Sequence, residues 1–473
     1  MSLTRTVALI GTTLAISGSA FGADDNDALA QIAELKSELA ALKAQSGEQW
    51  LTEQRATEIR GLVQDVLADA DTRTSLQGAG MVGGHDGNFF IASPDGNFRL
   101  EIGGLIEARW ALNSRNGINN SAFSSGTNWG FEVSRARFDF GGHVIDDSWR
   151  YKLRVSFGLD SVTAISGTTQ GGDPFTVNVP ADRSVAQIDL GYVEKVLDNG
   201  FSVRAGQFKA PFLREELVEA ENQLAVERSL LNEYFNQDRS VGVQGNWSTD
   251  NLRAAVFYGN QIGNGVFSAF NSKGSSALTN STSFAVAARI EWMIAGSSFR
   301  QFDNFTSKPG EEFGAMVGGA VFYQDYNVRG NFAGAEDEFG VTIDASVEFG
   351  GANLYGAFIY GNQKGVQGTA TDSRVNPYGF LVQGGIYVTP DVELFGRYEY
   401  GDLDTPMGSD RTKLNVVTVG ANWFLSNNVR ATFDLVYSIQ ELGAFAFGNA
   451  DMLADAPGED GQFAIRAQLQ LAF

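Results

Sequence analysis

The chain has no cysteine and only two histidines, His85 and His143, among 473 residues. Without cysteine there is no disulfide framework and no thiolate metal or redox site. Two histidines are too few for a histidine-rich metal centre. We read both as loop or barrel-wall residues and expect neither metal nor cofactor. No GxSxG elbow occurs, and so little histidine removes most nucleophile–base arrangements. We therefore expect no enzymatic activity. Positive charge is also scarce. With 34 basic against 56 acidic residues the net charge is −22, which excludes nucleic acid as a partner, because phosphate binding needs a basic face. Proline is rare, at 9 residues. No segment beyond the N-terminus is apolar for the eighteen or so residues that a transmembrane helix needs. A role in a membrane is then open only to a closed β-barrel.

What the chain has in excess fits that route. Glycine contributes 56 residues and phenylalanine 35, a composition of closely spaced strands with aromatic edges. The first residues, 1–22, read as a signal peptide: Arg5, the short apolar run VALIGTTLAISG, then small residues near Ala20 and Gly22. Export of this kind places the mature chain beyond an inner membrane. Residues 27–70 read as helical. Ala28, Ile32, Leu35, Leu39 and Leu42 follow heptad spacing, and a second stretch from Glu48 carries a looser stripe. Seams this short need assembly to be stable; a trimeric coiled coil and an amphipathic hairpin packed on the barrel end are the two readings. Residues 71–97 form a Gly-rich linker or hairpin with a turn at SPDG.

From Phe98 to Phe473 the pattern has period two. In YKLRVSFGLD, Tyr151, Leu153, Val155, Phe157 and Leu159 share one face, while Lys152, Arg154 and Asp160 lie on the other. Arg135 and Arg137 oppose Phe138 and Phe140 in the same way, as does Arg430 against Phe433. In lipid such strands turn the apolar face outward and the polar face toward a wet lumen. Sixteen segments qualify: 98–112, 131–143, 149–160, 185–196, 201–210, 239–247, 252–260, 284–294, 314–323, 339–349, 353–361, 378–388, 392–400, 414–424, 428–439 and 462–473. Their connections alternate long and short, as barrels require. Connection 295–313 is an exception, longer than a short-side turn should be. The last strand, FAIRAQLQLAF, is amphipathic and ends on Phe473, as expected of a barrel strand that closes the ring.

The third long loop, 211–238, is unlike its neighbours. It carries Glu215, Glu216, Glu219, Glu221 and Glu227, opposed only by Arg214 and Arg228, together with many large apolar residues. We expect it to fold inward, partly helical, as a constriction loop. Inward parity on strands two to five selects Arg135, Arg137, Lys152, Arg154 and Arg204 as a basic wall opposite it; Lys209 and Arg239 flank the loop. Counted from Arg204, Lys209 has lipid-facing parity, and a bulge before Pro211 would turn it inward. The two sets of charge can focus a field across the passage and can pair with each other, and the two arrangements are compatible.

The run GQFKAPFLREELVEAENQLAVERSLLNEYFNQDRSVGVQGNW resembles the phosphate-selective porin O and P family. The residues that carry the resemblance are Gly206, Gln207, Phe208, Lys209, Pro211, Phe212, Glu215 or Glu216, Glu227, Arg228, Ser229, Arg239, Gly242, Val243 and Gln244. The likeness extends over roughly 90–473. It implies a sixteen-stranded, trimeric outer-membrane porin with an infolded third loop. Phosphate selectivity in that family rests on a dense set of lumenal Arg and Lys. Here the inward parity also selects Glu101, Glu107, Glu291, Asp344, Glu348, Glu393 and Glu399, and basic character is expected on one wall only. We expect a passive channel for small hydrophilic solutes and ions in the outer membrane of a diderm bacterium, with its N-terminal segment periplasmic. The alternative is a structural tether, with 27–70 contacting the cell wall and the barrel as its anchor.

Overall fold

A computed structural model describes residues 33–41, 81–115, 126–159, 163–168, 174–179, 184–237, 239–259, 280–328, 337–364, 374–404, 413–442, 452 and 461–473. The signal peptide at 1–22 and most of the segment 27–70 lie outside the described residues. Of that segment, 33–41 is helical, with Leu35 and Leu39 of the heptad seam exposed.

The rest is β-structure. A hairpin, β1 (Val82–Asp86) and β2 (Asn88–Ala92), comes first and pairs onto the start of β3 (Arg99–Ser114). Then follow β4 (Thr127–Val144), β5 (Asp146–Leu159), a separate hairpin of β6 (Thr163–Thr168) and β7 (Pro174–Val179), β8 (Ser184–Val196), β9 (Phe201–Lys209), β10 (Arg239–Ser248), β11 (Leu252–Gly259) and β12 (Asn280–Ala295). The second half holds β13 (Gly314–Val328), β14 (Asp337–Glu348), β15 (Ala352–Lys364), the short β16 (Arg374–Val375), β17 (Tyr378–Thr389), β18 (Val392–Asp402), β19 (Lys413–Phe424), β20 (Val429–Ser438) and β21 (Phe463–Ala472). Sixteen of these strands form an antiparallel ring, closed by β21 on β3 from Ala472↔Leu105 to Phe463↔Ser114. Closure gives every wall strand two neighbours, and that pairing satisfies backbone groups that lipid could not.

The alternation read from sequence sets which face is wet. Phe138 and Phe433 are 44% and 52% exposed on the outside, whereas Arg137 and Arg154 are 6% and 2% exposed within the barrel. An outward aromatic pair, Phe201 and Trp247 at 6.2 Å, sits where two short turns meet the wall. This matches the girdles of a membrane barrel. Among the described residues no helix is long and apolar enough to cross a membrane.

All sixteen expected strands are present. The long connection after β12 is real and does not split the barrel: Phe299–Asp303 is a short 3-10 helix, and Phe302 and Phe305 are buried inside the ring.

Candidate functional site

The loop between β9 and β10 starts at a crowded spot. Gly206, with φ +139°, lies so close to β8 that a side chain there would meet the Gly191 carbonyl and Tyr192, which only glycine permits. Pro211 then ends the strand's pairing, since it has no amide to donate. The loop folds inward, and almost all of it is buried. It contains helical turns at Arg214–Leu217 and Leu230–Phe235 and a 3-10 turn at Ala220–Asn222.

Its two charged motifs lock to each other. Ser229 caps the Leu230–Phe235 helix by accepting from the Asn232 amide at 2.9 Å. Glu215 in turn accepts from the Ser229 amide at 2.7 Å and from its hydroxyl at 2.6 Å. Arg228 donates to the carbonyls of Glu215 at 3.0 Å and Val218 at 2.8 Å. The Glu-Glu and Glu-Arg-Ser elements thus make the loop one rigid unit.

That unit is fastened to the wall by ion pairs. Arg109 and Arg135 both hold Glu227, the latter at 2.5 Å. Arg137 holds Glu221 at 2.5 Å, Arg154 holds Glu219 at 2.7 Å, and Lys209 approaches Glu219 at 3.3 Å. Arg239 bridges Glu216 at 3.2 Å and Asp189. Lys152 pairs with Asp139 at 3.2 Å, and Arg204 has Glu194 at 3.9 Å while lying over the Tyr192 ring. Wall and loop charges are thus in direct contact. Lys209 reaches inward without a register shift between β9 and β10. It is the last residue of its strand, and its long stem bends over the rim toward Glu219.

Lumenal cations are not confined to one wall. Arg289 on β12, Arg397 on β18, Arg430 on β20 and Arg466 on β21 are also buried inside the ring. Arg289 donates to the Phe212 carbonyl at 2.8 Å, Arg397 to that of Glu227 at 2.9 Å, and Arg430 to that of Gln223 at 2.9 Å. The signal for them was present: Arg397 shares parity with Glu393 and Glu399, and Arg430 with Asp434. The basic-wall expectation stopped at strand five because it counted outward from the loop. The inward carboxylates are used as well. Glu399 accepts from the Leu231 amide at 3.1 Å, Asp434 from that of Val226 at 3.1 Å, and Asp344 pairs with Arg289 at 2.8 Å. The loop therefore crosses the lumen and is held from several sides.

Burial works against ionisation of Glu227, but Arg135 and then Arg109 outweigh it and hold the carboxyl at about 2. Glu233 is the opposite case. Burial, then the charges of Glu216 and Glu227, push it up to about 7. Raising the pH from about 6 to about 8 ionises Glu233 and adds one negative charge to the loop. The reversal potential should move toward cations over that interval. Glu233→Gln should reduce the response, and a Gln variant that titrates like the parent would exonerate Glu233.

A family model described as phosphate-selective porin O and P matches residues 113–441. Among solved structures, an anion-selective porin from Comamonas acidovorans is 13% identical with a TM-score of 0.52, covering 79% of this chain and 99% of its own. An OmpF from Salmonella typhi, in complex with daunomycin, is 11% identical with a TM-score of 0.50, covering 79% of this chain and 98% of its own. OmpT of Vibrio cholerae is 12% identical with a TM-score of 0.48, covering 80% and 98%. No curated relative matches the chain significantly.

Proposed function

This chain belongs to the phosphate-selective porin O and P family and is an outer-membrane channel, and from that premise we propose that it passes small hydrophilic solutes and ions by passive diffusion with a lean toward anions. The observation that carries this reading is the loop itself. A rigid acidic segment crosses a lumen ringed by buried cations, so whatever permeates must pass between charged surfaces at short range. Low-dielectric walls raise the reach of those charges. The residues that set the lean are Arg135, Arg137, Lys152, Arg154, Arg204, Lys209 and Arg239 on the wall, with Arg214, Glu215, Glu216, Glu219, Glu221, Glu227 and Arg228 in the constriction loop. Phosphate is one candidate among the anions. The working unit is a homotrimer, with the N-terminal segment in the periplasm. In support of assembly, among the described residues β4 pairs with β5 only from Ala136 onward, and before that point it exposes Trp129 and Phe131. An apolar strand edge of this kind suits a neighbouring copy.

Planar-bilayer recording tests the proposal. Purified protein should produce discrete current steps, with a reversal potential on the anion side in a potassium chloride gradient. Added phosphate should depress the chloride current if it binds in the lumen. An absence of steps from folded protein would defeat the channel reading, and a cation-side potential would defeat the anion lean.

A further inference from the structure

The long connection after β12 has no counterpart at its end of the barrel, where the other turns are a few residues long. It does not hang into solvent. It enters the ring, burying Phe302 completely and Phe305 almost so, and meets the infolded loop from below. Arg214 of the loop donates to the Phe302 carbonyl, and its guanidinium lies over the Phe305 ring at 5.5 Å. The Phe305 amide donates to the Asn222 carbonyl at 3.0 Å, and the Asn222 side chain donates to the Asp303 carbonyl at 3.2 Å. Phe305 packs on Tyr355 of β15 at 4.7 Å, and the Gly350 amide donates to the Ser307 hydroxyl at 3.2 Å. Arg253 on β11 stacks on Phe299 at 4.6 Å. The turn is thus fixed to the wall on both flanks and to the loop at its tip.

The same contacts bound an opening. A cavity of about 680 Å³ is lined by Val218 and Asn222 of the loop, Phe302 and Asp303 of the turn, and Arg204 and Arg253 of the wall. Loop and turn together form one side of it, and the wall forms the other. Its width then depends on where the loop rests, and the loop's lower side rests on the turn.

We infer that the turn 296–313 is a second constriction element, which clamps the infolded loop through Arg214 and Asn222 and thereby sets the width of the passage between loop and wall. The inference rests on the channel reading above. Arg214 and Asn222 are positioning residues: they act on permeation by holding the loop.

The test uses Arg214→Met, which keeps the stem and removes the donor, and Phe305→Ala. Both should give folded channels with severalfold greater open-channel current noise and added subconductance levels, because the loop loses its lower support. The absence of native cysteine allows a clean rescue. Asn222→Cys with Asp303→Cys in the Arg214→Met background should form a disulfide in the folded protein, seen by mass spectrometry without any conductance measurement. Oxidation should quiet the current and reduction should restore the noise. Currents in both Arg214→Met and Phe305→Ala as quiet as the parent's would overturn the clamp while leaving the channel reading intact. So would a cysteine pair that oxidises and leaves the noise unchanged.

Discussion

Replacing Arg135, Arg137 and Arg154 together with glutamine moves the reversal potential strongly toward cations. The substitution removes three positive charges from the lumen and leaves their loop partners in place. Glu227 still has Arg109, and Glu219 still has Lys209, but Glu221 loses its contact with Arg137. Breaking a buried pair costs about 3–5 kcal/mol. Glu227 is buried but keeps Arg109 and so loses less than that range; Glu219 and Glu221 are partly exposed, and solvent screens their share. The loop should therefore loosen at its Ala220–Asn222 turn before it loosens at Glu227. The mirror variant supplies the sign check. Glu219→Gln, Glu221→Gln and Glu227→Gln together must shift the potential toward anions, since the wall charges then stand without their counterparts. Salt-gradient recordings of the two triple variants decide the matter, and a potential unmoved in the arginine variant would take these residues out of the selectivity mechanism.

Most of the barrel was legible because its physics is local. Period two follows from the pleat, and lipid on one side with water on the other makes the alternation strict. Phe138 beside Arg137, or Phe433 beside Asp434, states the orientation of a strand without any tertiary information. The loop's inward fold was legible for the same kind of reason, since Leu224, Leu230 and Leu231 need somewhere dry to go. Three things were not legible. The ion pairs join residues far apart in sequence, such as Arg109 and Glu227, and parity gives only which face each occupies. Lys209 breaks its parity because it ends a strand, where nothing fixes the side chain to one face. The connection 296–313 reads as an oddly long turn, and its length cannot tell whether it bends outward or into the ring; Phe302 and Phe305 were the hint, as apolar residues in a segment expected to be wet. The Ser229 cap, with a helix-prone Leu-Leu-Asn-Glu run behind it, could have been read directly as a helix start.

Removing most of the infolded loop should have the largest effect on conductance. If residues 213–235 are replaced by a short Gly-Ser link, the single-channel conductance rises severalfold, because the segment that crosses the lumen is gone while the ring that supports it is not. Ring closure depends on β21 pairing with β3, and no loop residue takes part in that ladder. The deleted segment holds six acidic residues, Glu215, Glu216, Glu219, Glu221, Glu227 and Glu233, and two basic ones, Arg214 and Arg228. Where all six carboxylates are ionised, the lumen's net charge becomes four units more positive than the parent's. Arg135, Arg137, Arg397 and Arg430 lose partners that now neutralise or anchor them. Anion preference should rise together with conductance, which is an unusual pairing: a wider pore alone weakens selectivity, because charges at the wall act over a longer distance through more water. The joint outcome separates the two effects. Higher conductance with weaker selectivity would mean that width dominates and the ring of arginines is too far from the axis to matter. Equal or lower conductance from a folded variant would mean that the loop does not stand in the permeation path at all.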